Sequence, residues 1–281
     1  TNTNALINWH NNHCIDKSVK GVNFVSTFYY SPRYDMGLPV GVNYVLKNKQ
    51  VLDENGKTTH KSKRTKNAMM GNIVKHADYN IRFKYVLANS WFSSSKNITC
   101  FTEDCKSGFT MAIKTARVKT LSKEEDKEKG IYHSIESLDL EGRTMLVYLK
   151  QYSKAVLIAK QAFKNGDGST GMLYLATSDL NLDYQNLSAI YEKRWKEVKE
   201  FFRSIKNNAT FAKASAKTIK TQKAHFIASM IVFVKLKQLK LRNNKNYYAM
   251  KSKIWLATTK VAWKQLNELS TTNLNFNKIA A

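Results

Sequence analysis

The residues between 191 and 206 are the part of this 281-residue chain best suited to chemistry. The segment reads YEKRWKEVKEFFRSIK, contains neither Pro nor Gly, and consists of residues that are at least fair helix formers. One interpretation is a solvated helix with ion pairs at i,i+3 and i,i+4 spacing. The other places Tyr191, Arg194, an acid and Lys206 on one face, directed at a phosphate and a metal ion.

The charge of the chain favours a polyanionic partner. Lys and Arg number 46 and Asp and Glu number 21, which gives a net charge of +25. An excess spread along the whole chain points to DNA, RNA or an anionic membrane. The membrane is the weakest of these, because the longest apolar run, Phe226–Val234, is about half the length that spans a bilayer. With no signal sequence in view, we expect a cytoplasmic protein.

Cysteine and histidine give no complete metal site. Cys14, Cys100 and Cys105 form an odd set without a dense framework, which is typical of a reducing interior. Cys100 and Cys105 lack a second ligand pair at zinc spacing, so we interpret them as small loop residues. The spacing of His10, His13 and Cys14 is more typical of a metal site. Three residues do not complete a four-ligand zinc site, so we interpret them as structural residues or as residues that support a site from outside its ligands.

The first hundred residues read as α/β. Strands are predicted at Val22–Ser31 and over LPVGVNYVLKN at 38–48. A polar exposed loop is predicted at Asn48–Lys61, and a helix with an apolar stripe at Lys61–Tyr79. The apolar run Phe83–Ala88 then has the composition of a buried strand. This order predicts an α/β fold.

The rest of the chain contains a region of short β-like runs followed by a helical region. Short β-like runs are predicted, separated by a charged loop at 122–130 and a glycine turn at 165–171: Phe109–Val118, Arg143–Tyr152, Ala155–Phe163 and Met172–Asp179. These runs predict an all-β insertion. After Leu182 helices are predicted for the 191–206 segment, Thr218–Leu241 and Lys251–Leu269.

Several motifs together resemble the bacterial DDE transposases of insertion-sequence family four. They are WHNNHCIDKSVKGVNFV, LPVGVNYV, the strand and turn FKYVLANSWFSS, and YEKRWK with FFRSIKNNA, in the family's order. The resemblance implies an RNase H-like core interrupted by an all-β insertion, with a C-terminal helical region. The predicted divisions are core residues 1–105, insertion 106–180, signature helix 181–210 and C-terminal helices 211–281.

The family's chemistry explains the residue types. Three carboxylates hold two Mg²⁺ (or Mn²⁺) ions for in-line attack on a phosphodiester, in DNA cleavage and strand transfer. By resemblance, Tyr191, Arg194 and Lys206 bind the phosphates of double-stranded transposon ends. The family further implies a homodimer on DNA, in a bacterial, nucleoid-associated setting.

The carboxylates depart from the family pattern. Asn89 stands at the second-acid position, where its amide oxygen is a neutral ligand, and an Asn at a strand end is also a common N-cap. The family's first acid ends a strand just upstream of the segment resembling NALINWH, where this chain begins, so we expect it to be absent. Asp16, Asp35 and Asp53 are predicted in loops and match no motif.

The signature helix also departs in register. The family spacing is Tyr-x2-Arg-x3-Glu-x6-Lys, and counted from Tyr191 its Glu and Lys positions hold Val198 and Ile205. Counted back from Lys206, the Glu position holds Lys199. One inserted residue explains the mismatch, and a π-bulge would restore Lys206 to the common face.

The third-acid candidates are Glu197 and Glu200, and each lies about 100° from the signature face of an α-helix. We therefore predict a transposase by descent whose cleavage activity is lost. The alternative is a non-catalytic DNA-binding remnant that inhibits a full-length relative, favoured by the retained basic positions and by the basic stretch Lys213–Lys223. An unrelated basic module for RNA or a membrane surface is supported by charge alone.

Overall fold

The chain folds as two compact units, Thr1–Glu200 and Phe201–Ala281. The computed structural model describes residues 5–276 except 13–15, 53, 55, 57, 115–117, 122–129, 165, 210, 212–217 and 244–246. The first unit is mixed α/β, as predicted, and the described part of the second unit is helical. The division after Glu200 falls inside a helix, and the predicted divisions at 105, 180 and 210 stay predictions.

Three antiparallel hairpins open the first unit. They are β1 (Ile7–Asn12) with β2 (Lys17–Val22), β3 (Phe24–Ser31) with β4 (Met36–Tyr44), and β5 (Lys49–Leu52) with β6 (Thr58–Lys61). The strands predicted near β3 and β4 are confirmed. The loop predicted over Asn48–Lys61 is wrong, because Val51 and Thr59 pair across β5 and β6, where β-branched residues fit well.

Helix α1 (Lys66–Asp78) packs on the β3–β4 hairpin. It begins where Thr65 caps it, with the Thr65 hydroxyl accepting the Ala68 N–H at 3.2 Å, so the predicted helix starts too early. The buried stripe is Met69, Met70, Ile73 and Val74. Gly41 of β4 allows close approach, since a Cβ there would overlap the Ile73 side chain.

A seven-stranded sheet forms the centre of the first unit, in the order β10-β9-β11-β12-β13-β8-β7. Its strands are β7 (Tyr85–Ala88), β8 (Gly108–Ile113), β9 (Val118–Leu121), β10 (His133–Ser134), β11 (Thr144–Leu149), β12 (Ala155–Lys164) and β13 (Thr170–Thr177). Only β7 and β8 pair in parallel; the other pairs are antiparallel. The predicted β runs are therefore strands that continue the sheet containing β7. Most of the predicted charged loop lies outside the described residues.

Alternate residues of this sheet enter two different cores. One core contains the side chains of α1 and the buried Phe101, Phe109 and Ile158. The connection from β7 to β8 contributes to it through helix α2 (Ser95–Thr99) and a π-helical turn (Cys100–Asp104). The second core contains Ala112, Ala159 and Leu175 of the sheet, which pack against helix α3 (Tyr184–Asn208). Helix α3 therefore packs on the face of the sheet opposite to the core that contains α1.

The second unit contains helices α4 (Ile219–Asn243) and α5 (Tyr247–Phe276), close to their predicted ranges. Phe201 and Phe233 pack edge to face with ring centroids 5.1 Å apart. The Ser229 hydroxyl donates a hydrogen bond to the Ala209 carbonyl at 2.9 Å. Within the described residues, no helix combines the length and apolar character needed to cross a membrane.

Candidate nucleic-acid interface

Asn89 lies directly after β7 and caps a short 3-10 turn, Ser90–Phe92. Its Oδ1 accepts the backbone N–H of Trp91 at 3.2 Å, so the predicted N-cap role is confirmed. The side chain is exposed. Its oxygen serves the local backbone, and as an amide it brings no negative charge to the end of the strand.

The segment Tyr184–Asn208 is α-helical throughout, so it lacks the π-bulge that would restore Lys206 to the common face. A π-helical turn occurs at Cys100–Asp104. Without a bulge the register stays that of a regular helix, with Val198 and not a carboxylate four residues after Arg194. Lys206 is exposed and belongs to the second unit. Part of the basic stretch Lys213–Lys223 lies outside the described residues.

The Tyr191 side chain is buried in the protein and is not exposed to a ligand in solvent. It is 5% exposed and contacts the core of Ala112, Ala159 and Leu175 on the sheet. Burial raises the pKa of its phenol, and the neighbouring Arg194 opposes that shift. Its predicted contact with a phosphate stays a prediction. The structure gives Tyr191 a role that the sequence did not indicate, which is to anchor α3 on the sheet.

Arg194 lies against two aromatic rings of the same helix. Its Cζ is 4.7 Å from the centroid of Tyr191 and 5.7 Å from that of Trp195, within cation–π range. Among the described residues it has no ion pair, and its buried Nε has no hydrogen-bond acceptor. Buried donors are rarely left without an acceptor, so Arg194 has hydrogen-bonding capacity that its described surroundings do not use.

Four residues form what we call the helix clamp: Tyr30, Asp35, Lys193 and Lys196. The Tyr30 hydroxyl donates to Asp35 Oδ1 at 2.5 Å, and Lys196 Nζ donates to Oδ2 at 3.1 Å. Lys193 Nζ lies 3.9 Å from Asp35 and 5.6 Å from the centre of the Tyr30 ring. The clamp joins α3 to the turn between β3 and β4.

The clamp perturbs its own ionisable groups. The hydrogen bond to Asp35, followed by burial, raises the pKa of Tyr30 to about 12. Hydrogen bonds from Tyr30 and then Lys196 lower the pKa of Asp35. Asp35 was predicted in a loop and has a left-handed backbone at φ 40°. Asp16 has a similar φ of 43°, and Asp53 lies outside the described residues.

The third-acid candidates lie on the same helix with different environments. Glu197 is 6% exposed, and a Cβ added at Gly37 of β4 would overlap its carboxylate. Glu200 is half-buried. The Glu197 carboxylate therefore lies close to the backbone at Gly37, and a larger residue there would have to displace it.

These residues do not fit the pair of divalent ions that the family resemblance implies. Mg²⁺ favours several anionic oxygen ligands, and two such ions repel without them. Asn89 is neutral and engaged as a cap, while Glu197 is packed against Gly37. Across the described part of the chain, no three His, Cys, Asp or Glu side chains are grouped to hold a metal ion. We derive no metal-dependent step.

The remaining His and Cys residues considered as metal ligands, where the structure describes them, are bonded to, or buried among, other parts of the protein. His10 Nε2 lies 3.2 Å from the Gly21 carbonyl, and burial followed by the charge of Lys47 lowers its pKa. Cys100 begins the π-helical turn, so the predicted loop assignment is wrong for it, whereas Cys105 follows the turn in a bend; both are buried. Burial raises the pKa of both thiols, that of Cys105 to about 12. His13 and Cys14 lie outside the described residues.

A second group of lysines surrounds an exposed aromatic ring. We call Lys66, Trp91 and Lys114 the tryptophan cluster. The two Nζ atoms lie 5.8 and 5.6 Å from the centre of the indole, which is 46% exposed. No role for these three residues was predicted from the sequence. The signal that could have found the cluster is a Trp three residues after a strand end in a basic chain.

Comparison with known proteins adds no assignment. No protein-family model matches the chain, and no match is found among curated proteins.

Proposed function

We propose that this chain is a duplex-DNA-binding protein descended from the DDE transposases of insertion-sequence family four, and that it does not cleave DNA. The observation that carries the DNA-binding proposal is Arg194. Its guanidinium lies against two rings and lacks an ion pair among the described residues. Arginine in such a setting suits phosphate oxygens, which it binds with two parallel hydrogen bonds.

The surrounding charge supports the same proposal. The chain carries a net charge of +25. Phosphate contacts supply most of the free energy of sequence-independent DNA binding. Lys193 and Lys196 are engaged by Asp35 and hold α3, so Arg194 has a defined position before binding.

The order of elements supports the RNase H-like part of the proposal. An antiparallel hairpin, a packed helix and the parallel pair β7–β8 follow one another in the first unit. The all-β insertion would then comprise the antiparallel strands between β8 and α3. A homodimer on DNA is part of the family resemblance and remains a prediction here.

Loss of cleavage is proposed from the residue types at two family positions. A two-metal mechanism requires its carboxylates together, and losing one member of such a set removes most activity. Asn89 is neutral, and the helix has Val198 at the family's Glu position. Asn89→Asp alone is therefore expected to leave the chain inactive.

Replacement of Arg194 tests the binding proposal. Arg194→Ala should weaken binding to a random-sequence duplex by about tenfold, the effect expected for one charge-assisted hydrogen-bonding group. Arg143→Ala is the matched control, because Arg143 pairs with Asp139. Arg194→Lys should recover only part of the affinity. Equal losses for Arg194→Ala and Arg143→Ala would remove the specific role of Arg194.

A second comparison tests the family origin. Duplexes carrying the inverted repeats of the chain's own locus should lose more affinity than random duplexes when Arg194 or Lys206 becomes Ala. Equal losses would argue against end recognition.

A nicking assay tests the absence of cleavage. Supercoiled plasmid incubated with the 281-residue chain and Mg²⁺ or Mn²⁺ should stay intact. Metal-dependent nicking that Glu197→Gln or Glu200→Gln abolishes would overturn this part of the proposal.

A further inference from the structure

Trp91 is held rigidly although its ring is exposed. The Asn89 side chain caps its backbone N–H, and the Ser93 hydroxyl donates to the Ser90 carbonyl at 3.0 Å. Asn97, only 4% exposed, donates to the Phe92 carbonyl at 3.1 Å. The hydrogen bonds of the turn are therefore made by its backbone and by the Asn89, Ser93 and Asn97 side chains, while the Trp91 side chain is 46% exposed.

The same buried amide fixes Lys66 relative to this turn. Asn97 Nδ2 also donates to Asn67 Oδ1 at 2.9 Å, and Asn67 adjoins Lys66 in the first turn of α1. One side chain thus joins the start of α1 to the turn that carries Trp91. The backbone segments that carry Lys66 and Trp91 are therefore linked through this buried amide.

Lys114 reaches the ring from the neighbouring strand. In the parallel pair, Ala88 of β7 lies opposite Met111 of β8. Trp91 and Lys114 each follow three residues later, so both project from the carboxyl ends of adjacent parallel strands. This edge of an α/β sheet is a common place for ligands, because loops from several strands converge there.

The charge around the ring is unbalanced. Neither Lys66 nor Lys114 has an ion pair within the described residues, and both ammonium groups lie near the indole face. Burial and the nearby charge of Lys47 lower the pKa of Lys66. Attraction to an exposed ring is a weaker interaction than a hydrogen bond to phosphate, so an anion would be the stronger partner for these two ammonium groups.

We propose that the tryptophan cluster binds single-stranded nucleic acid, with an unpaired base stacked on Trp91 and adjoining phosphates bound by Lys66 and Lys114. A base inside a duplex is already stacked on both faces, whereas an unpaired base offers a free face to an indole. The combination of an exposed ring and flanking cations matches that ligand. This inference rests on the proposed function, since it adds a single-strand contact to a DNA-binding chain.

The test compares one oligothymidine of about 12 nucleotides with a blunt duplex of equal length. Trp91→Leu should weaken binding of the oligothymidine by at least fivefold and that of the duplex by less than about twofold. Trp91→Phe should recover part of the loss, because a smaller ring still stacks. Trp255→Leu, which removes another exposed indole in the second unit, should change neither affinity. Thermal melting checks that each variant is folded.

A covalent readout locates the contact. Oligothymidine in which 5-iodouracil replaces one thymine should cross-link on irradiation to the peptide that contains Trp91, and the Trp91→Leu chain should lose that cross-link. Replacing Lys66 and Lys114 with Gln should weaken oligothymidine binding and make it less salt-dependent.

The outcomes separate this inference from the proposed function. Equal losses on both DNAs, no loss on either, or a cross-link that survives Trp91→Leu would overturn the single-strand site while duplex binding stands. If the unmodified chain binds neither DNA, the proposed function fails together with the inference.

Discussion

The helix clamp and the tryptophan cluster both contain two lysines, but the lysines have opposite partners. In the clamp, Lys193 and Lys196 lie within 4 Å of the Asp35 carboxylate. In the tryptophan cluster, Lys66 and Lys114 lie near an indole. A carboxylate neutralises an ammonium group, whereas a ring leaves its charge intact. The clamp is therefore suited to hold α3, and the tryptophan cluster to attract a polyanion.

The two groups also differ in what surrounds them. The clamp lies beside the buried Glu197, whose carboxylate would have to move if a residue larger than glycine stood at position 37. Trp91 is 46% exposed. In a chain with a net charge of +25, a lysine's role thus depends on its neighbour more than on its place in the sequence.

The largest expected effect is on the packing beside the clamp. Gly37→Val would insert a side chain into the space of the Glu197 carboxylate and should lower the free energy of unfolding by about 2 kcal/mol. Gly21→Val is the matched control, because a Cβ at that strand position meets nothing within 4 Å. Urea unfolding measures both. Similar destabilisation by the two variants would contradict tight packing between Glu197 and β4.

The next effect separates the two pairs of lysines. The Lys66→Gln, Lys114→Gln chain should bind oligothymidine about tenfold more weakly, with a salt slope smaller by about 1.4, as for two lost single-strand phosphate contacts. The Lys193→Gln, Lys196→Gln chain should lose less, because Asp35 already engages those ammonium groups. A titration of binding against salt compares them. Equal changes in slope would remove the distinction between the clusters.

A smaller effect concerns the turn that carries Trp91. Asn89→Ala removes the N-cap and should lower the free energy of unfolding by about 1 kcal/mol. Asn89→Asp keeps a capping oxygen and should retain most of that stability. Denaturant unfolding of both variants measures the difference. If Asn89→Asp and Asn89→Ala lower the free energy of unfolding equally, the hydrogen bond to the Trp91 N–H does not contribute to stability.

The smallest effect is a pH dependence of the clamp. The pKa of Tyr30 is raised from 10.0 to about 12, so the folded state keeps this proton longer than the unfolded state. The stability it contributes is complete below pH 10 and is lost as the pH rises toward 12. Asp35 is exposed and Tyr30 is partly exposed, so solvent screens the interaction and the contribution is small.

Phenolate absorbance measures this pKa as the difference between the unmodified chain and Tyr30→Phe. Asp35→Asn should move the titration of Tyr30 toward 10, because the hydrogen bond to a carboxylate is its main cause. Asp167→Asn, whose carboxylate bonds to Ser169, is the control and should leave it in place. An unchanged Tyr30 titration in Asp35→Asn would contradict the clamp.

The sequence predicted most strands and all the long helices, because strong periodicity and composition identify them. The α1 stripe from Met69 to Val74 and the apolar run of β12 are examples. It missed β1–β2 and β5–β6, whose residues are largely polar and exposed, so that no apolar alternation reveals them. These hairpins are specified by backbone pairing and turns, which leave a weak sequence signal.

The candidate site was less predictable because it depends on contacts distant in sequence. The helical spacing of Tyr191 and Arg194 was evident, but Tyr191 faces the sheet, and only the packing of Ala112 and Leu175 determines that. Asp35 meets Lys196 across 161 positions, and no periodicity relates them. The capping role of Asn89 was predicted because it is local.

The most direct test of the account is the salt dependence of duplex binding by the unmodified 281-residue chain. Affinity for a random-sequence duplex should fall linearly on a double-logarithmic plot, with a slope of about −4.5 or steeper, as for five or more phosphate contacts. That result would support the proposal that this chain binds DNA through its phosphates. A slope near zero, or no measurable binding at low salt, would contradict it.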